Sequence, residues 1–199
     1  MPDVIEPTVW WFEVTASALV LGSSQRIEHV DLDTCAQAEV EVIRRRSGGG
    51  AVLLQPGDAM WVDVLLPASD PRWINDIGQS ACWLGEIWRE ALGSLGVDGT
   101  TVHRAAMVRT RWSDQVCFAG TGGGELVRGG GKVVGISQRR TRAGARFQCA
   151  LYRHWRPEAH VGLFAAPGPT LADLAGLAVE VAADPQSVMA AFAAALTAG

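Results

Sequence analysis

The chain has 199 residues, 48% of them hydrophobic and 19% charged, with a net charge of −4. That balance builds a globular core and excludes the broad positive field on which general nucleic-acid binding depends. A length of this order fits one domain, buries about 70% of the unfolded surface, and needs neither disulfide nor metal to fold.

With Trp10 and Trp11 followed by Glu13 we expect no secretory signal here, and no apolar run reaches the roughly 18 residues that span a bilayer. Cys35, Cys82, Cys117 and Cys149 show neither a CxxC pair nor metal-ligand spacing. We therefore expect free thiols in a reducing cytoplasm, no tightly bound metal, and no membrane or nucleic-acid partner. Of the 17 basic residues 16 are arginine, clustered at 44–46 and 139–146, and the single lysine is Lys132. Arginine cannot replace lysine where a compact charge on a flexible stem is required.

In chain order, Ala18–Leu21 reads as a compact strand ending at Gly22, and Asp33–Ala38 as a brief helix that Asp33 could cap. Val40–Arg44 alternates like a half-buried strand, and Ala51–Leu54 and Met60–Leu66 read as two more, joined by the turn Gln55-Pro56-Gly57-Asp58. Asp70-Pro71 is a helix start, after which Trp73, Ile77, Leu84, Trp88, Ala91 and Leu95 share one face and Gly96 closes the helix. Core packing is the expected role of these tryptophans.

Val102–Arg111 and Val116-Cys117-Phe118 resume strand character, and Glu125–Arg128 reads as a short strand between two glycine triplets. Val133–Ile136 and Phe147–Tyr152 would pair across the basic turn Gln138–Arg146. The tail, 170–199, is helical: Thr170 opens a capping-box pattern with Asp173, and Asp184-Pro185 starts an Ala-rich helix. Strands and helices do not alternate, so the pattern is α+β, a central mixed or antiparallel sheet flanked by helices, in one domain over 1–199.

Two glycine-rich segments carry the chemistry. Arg44-Arg45-Arg46-Ser47-Gly48-Gly49-Gly50-Ala51-Val52 can present successive amides as an anion-binding nest, with arginines to pair phosphate or carboxylate oxygens. It lacks Walker spacing. On composition alone, a flexible hairpin turn flanked by solvated arginines is an equal alternative. The second segment holds Lys132.

Arg45-Arg46-Ser47-Gly48-Gly49-Gly50-Ala51-Val52 resembles the RRxSGGGAV motif of the lipoate–protein ligase and octanoyltransferase family, a relative of the biotin protein ligases. Leu19-Val20-Leu21-Gly22-Ser23-Ser24-Gln25 is similar to its early strand ending in G-x-x-Q. Gly131-Lys132-Val133-Val134-Gly135-Ile136-Ser137-Gln138-Arg139-Arg140 is similar to its GKKVxGSAQxR segment. The three fall in order across residues 18–152. The resemblance implies an α+β catalytic domain of the biotin/lipoate ligase type, like class II synthetases. It also implies attachment of a lipoyl or octanoyl group to a lysine of a lipoyl carrier domain or a glycine-cleavage H-type protein. Arg45, Arg46, Ser47, Gly48, Gly49, Gly50, Ala51, Gly135, Ser137 and Gln138 would bind substrate, and Lys132 would stabilise the activated acyl group.

Two chemistries stay open under that resemblance. A ligase would use ATP with Mg2+ to form an acyl-adenylate. A transferase would take octanoate from acyl carrier protein as a thioester on Cys117, which precedes Lys132 by 15 residues, much as in one octanoyltransferase group. As a residue type, free cysteine is most often a small core hydrophobe. Two family histidines are replaced: Leu54 stands at one position and Cys149, in Gln148-Cys149-Ala150, at the other. The alternatives are a catalytically silent acyl-binding or regulatory domain, or a ligase for biotin or another carboxylic acid.

Overall fold

The computed structural model describes residues 6–198. A six-stranded antiparallel sheet runs in the order β1 (Thr8–Phe12), β5 (Ala59–Pro67), β9 (Gly144–Tyr152), β8 (Gly131–Arg140), β7 (Leu126–Arg128) and β6 (Thr101–Val102). A three-stranded sheet holds β2 (Ala18–Leu21) between β3 (Glu41–Arg44) and β4 (Val52–Leu54). The β2–β3 pair is parallel and β2–β4 antiparallel, so the mixed character expected of the fold lives in the small sheet alone.

The strands sort their residues by parity, as a pleat requires. Met60, Val62, Val64 and Leu66 of β5 join Phe147, Cys149 and Leu151 of β9 beneath two helices, α2 (Cys82–Ser94) and α5 (Pro185–Ala198). There Trp88 and Phe192, both within 1% of full burial, meet at 4.4 Å between ring centroids. Ala59, Trp61, Ala150 and Tyr152 point the other way and meet Ala18, Val20 and Val52 of the small sheet. Leu19, Leu21 and Leu53 face a further core with Trp112, Val116 and Phe164. β2 is therefore covered on both sides, which is why it reads as an unbroken apolar run.

Three local expectations are corrected. The helix α1 spans Leu32–Gln37, and its cap is Asp31, whose carboxylate accepts the Thr34 amide at 2.8 Å. Asp70 starts no helix: its carboxylate is spent on the amide and guanidinium of Arg72, both at 2.9 Å, and turns run from there to Cys82. Ile77 consequently lies 66% exposed, outside the apolar face of α2. Between 102 and 119 only Thr101–Val102 is a strand; Val116 makes a single parallel bridge to Ala51, and Cys117–Ala119 form a 3-10 turn. The Thr170–Asp173 capping box and the Pro185 helix stand as expected, although 175–184 between them is not helical. β8 and β9 pair as expected, but Gln138–Arg140 and Ala145–Arg146 belong to the strands and not to the turn.

Candidate active site

The glycine loop is stapled to the segment that carries Cys117. Ala51 donates its amide to Gln115 O at 2.7 Å and accepts from the Cys117 amide at 2.9 Å. Gln25, last residue of the G-x-x-Q signature, accepts from Gly22 N at 2.8 Å and donates to the peptide oxygens of Asp114 and Gln115 at 2.9 and 3.1 Å. Two glycines are required by close approach. A Cβ on Gly50 would lie 2.7 Å from Cys117 N, and one on Gly22 would lie 1.9 Å from Gly49 O.

Arg45 is buried beneath the loop and serves as its brace. Its guanidinium donates to Gly48 O and Gly50 O, both at 2.8 Å, and to Val20 O at 3.1 Å. Its Nη2 also lies 4.0 Å from Cys117 Sγ. Arg46 is exposed and lines none of the cavities near the loop. The amides of Gly48, Gly49 and Gly50 donate to no protein acceptor among the described residues, so they remain available to a ligand's oxygen.

Lys132 starts the inner edge of β8, and its own backbone is tied to the Leu177–Val179 segment by bonds of 2.8 Å. Its side chain is only 2% exposed. The ammonium donates to Cys117 O at 2.8 Å, pairs with Glu125 Oε2 at 2.7 Å, and sits 5.2 Å from the Phe118 ring centroid. Gly135, three residues along β8, packs against this side chain: a Cβ there would be 3.4 Å from Lys132 Cδ, in van der Waals contact. Ser47 Oγ bonds to Ser137 Oγ at 2.9 Å and donates to Gln148 Oε1 at 2.7 Å. Gln138 accepts from Ser80 Oγ at 2.7 Å and donates to Ile77 O at 2.9 Å.

These parts enclose a cavity of about 220 Å³ walled by Gly48–Gly50, Cys117, Glu125, Lys132, Ser137 and Gln138. Arg45 and Gly135 line a small void behind it, and Ala51 acts through its backbone alone. Of the four thiols, Cys35, Cys82 and Cys149 are buried while Cys117 is half-buried on the cavity wall. Burial pushes the Cys149 thiol up to about 12, in the core beneath the helices. Leu54 lines a separate groove of about 350 Å³ with Val20, Trp61 and Gln148. Neither position of the replaced histidines therefore faces the cavity. A larger cavity of about 730 Å³ beside Trp11, Met60 and Met189 is not lined by Lys132, Cys117 or the glycine loop.

The sequence pattern missed Glu125, Ser113 and Met107, all on the cavity wall. For Glu125 a signal existed, since it stands directly after the Gly122–Gly124 triplet opposite the one before Lys132. Among the described residues no cluster of three or more His, Cys, Asp or Glu could hold a metal ion.

Lys132, Cys117 and the glycine loop thus meet at one cavity. The chain belongs to the lipoyl protein ligase A/B catalytic domain family, whose model matches residues 3–167. It is 24% identical over 136 residues to octanoyltransferase LipM of Clostridioides difficile (strain 630), covering 68% of this chain and 49% of that protein, so it spans about half the length of that relative. Its fold is similar to a lipoate–protein ligase A bound with ATP, at a TM-score of 0.72 and 18% identity, covering 97% of this chain and 72% of the other. It is also similar to the bipartite lipoate protein ligase of Thermoplasma acidophilum, solved as part of a lipoylation system with its E2 lipoyl domain. That match has a TM-score of 0.76 and 16% identity, over 97% of this chain and 71% of that one.

Proposed function

We propose that this domain transfers an octanoyl or lipoyl group to a lysine of a carrier domain through a thioester on Cys117. One observation carries the reading: the half-buried Cys117 shares its cavity with Lys132 and with the unspent amides of the glycine loop. The similarity to an octanoyltransferase adds support. In the first half-reaction the thiolate attacks the acyl carbonyl of an acyl carrier protein thioester, and the carrier thiol leaves with a proton. In the second, the acceptor lysine amine attacks the Cys117 thioester and the thiol is regenerated. Each attack builds negative charge on the acyl oxygen, which the loop amides and the Lys132 ammonium are placed to stabilise. Arg45 Nη2 lies 4.0 Å from Sγ, on the wall the acyl group would reach.

A ligase using ATP is the second reading. It is supported by the same free amides, which suit a phosphate, and by the ATP bound to a protein of similar fold. The acceptor in either case would be a lipoyl domain or an H-type protein, in line with the E2 partner of the Thermoplasma ligase.

Transfer assays on an apo lipoyl domain separate the readings. The thioester route predicts transfer from octanoyl–acyl carrier protein without ATP, abolished in Cys117→Ala. Transfer from free octanoate that requires ATP and survives Cys117→Ala would establish the ligase. Tight acyl binding with no transfer from either donor would mark a silent acyl-binding domain.

A further inference from the structure

An ammonium group has three N–H bonds to place. Lys132 gives one to Glu125 Oε2 at 2.7 Å and one to Cys117 O at 2.8 Å, and the third meets no protein acceptor among the described residues while the side chain lines the cavity. The Glu125 carboxylate is itself fixed from behind. Its Oε2 accepts from Gly122 N at 2.7 Å and its Oε1 from Ile136 N at 3.0 Å. Those amides belong to the 122–124 turn and to β8, so one carboxylate ties together the turn, the strand and the lysine head. Both members of the pair are at least 95% buried.

We propose that Glu125 is a positioning residue for acyl transfer, holding the Lys132 ammonium so that its third N–H aims at the acyl oxygen of the Cys117 thioester. The proposal rests on the thioester reading above. Its physical basis is preorganisation: a donor stabilises developing charge in proportion to how well it is aimed beforehand. A head group displaced by about 1 Å can lose about 100-fold in rate. Without Glu125 the lysine would keep only the Cys117 oxygen as a fixed acceptor, and a buried charge would be left without its partner. Aspartate, one methylene shorter, would have to give up either the Ile136 amide or full contact with Lys132.

The test combines kinetics with a readout that needs no activity. Glu125→Gln should lower kcat about 100-fold with KM within about threefold, the signature of an interaction made in the transition state. Glu125→Asp should restore part of the loss. On a Lys132→Met background, Glu125→Gln should cost no further rate, because the glutamate acts through the lysine. Full additivity of the two changes, or an unaltered kcat in Glu125→Gln, would overturn the proposal. Since Lys132 is the only lysine, tag-free protein labelled with 13C-lysine gives one ε-methylene signal, whose relaxation reads how firmly the head group is held. The signal should report a rigid group in the wild type and a loosened one in both Glu125 variants. Equal rigidity in all three would sink the idea. Should Glu125→Gln not fold, Glu125→Asp still decides through both readouts. Should the wild type transfer no acyl group, the functional reading fails while the lysine signal still judges the positioning.

Discussion

Cys117 and Cys149 show how one residue type takes two roles by placement. Burial raises Cys149 to about 12, and Cys35 is also raised by burial, whereas Cys117 lies half-buried beside a guanidinium. Cys117 should therefore be alkylated first by iodoacetamide at neutral pH, as peptide mapping over time would show; modification of Cys149 ahead of it would contradict the site. His160 supplies a pH prediction. It is 2% exposed, its Nδ1 is 3.0 Å from Arg156 O, and its ring lies 4.4 Å from that of Trp155. Burial holds this imidazole below its ordinary range, outweighing the Arg156 oxygen and Glu158. The unfolded histidine takes its proton near pH 6.5, above the folded one. Its contribution to stability is thus present above about pH 6.5 and is lost as pH falls toward the folded value. Replacing it by Gln should flatten the change in urea midpoint between about pH 7 and about pH 5.5; an unchanged slope would contradict this. At this scale Lys132 was legible because composition isolates it, and the glycine loop because its motif is local. Glu125 was marked only by its place after a glycine triplet, and its role was hidden because its partners Gly122, Lys132 and Ile136 meet only once β7 and β8 are paired.

The elements divide by how their hydrogen bonds are satisfied. Strands buried on both faces, such as β5, announce themselves as near-continuous apolar runs, and Thr170 and Pro185 mark their helices by local capping chemistry. The segment 70–81 misled the helical periodicity because Asp70 is drawn to Arg72 instead of capping, a choice no spacing reveals. Val102–Arg111 and Val116–Phe118 have strand character in sequence, yet the segment folds over the cavity through contacts of its 114–117 stretch with Ala51 and Gln25. Its fit to the glycine loop makes Gly50→Ala informative. A Cβ at 2.7 Å from Cys117 N should cost about 1–3 kcal/mol by overpacking. It should also lower transfer about 100-fold by displacing the thiol. Wild-type transfer by a folded Gly50→Ala protein would contradict the proposed role of this contact. Under the helices, Trp88→Ala should destabilise by about 3–5 kcal/mol in denaturant titration while leaving KM unchanged, because that core lies on the face of the sheet opposite the small sheet. A loss below 1 kcal/mol, roughly the level of a surface change, would contradict the packing.

For the whole molecule, function follows from the junction between two sheets. The small sheet brings the glycine loop, the large sheet brings Lys132, and the 3-10 turn carries Cys117 between them. The fold class was readable because three motifs fall in order along the chain; the cavity was not, because its wall joins residues as far apart in the chain as Gly48 and Gln138. At the positions of the two replaced histidines, Leu54 lines the groove and Cys149 lies in the core. The central claim is that acyl groups pass through Cys117. Its most direct test is intact-mass measurement after mixing the protein with octanoyl–acyl carrier protein alone, with neither ATP nor acceptor present. The account predicts one octanoyl adduct, labile to hydroxylamine, mapped to Cys117, and discharged on adding apo lipoyl domain. An unmodified wild-type mass, from protein that nonetheless transfers octanoate when ATP is supplied, would contradict it.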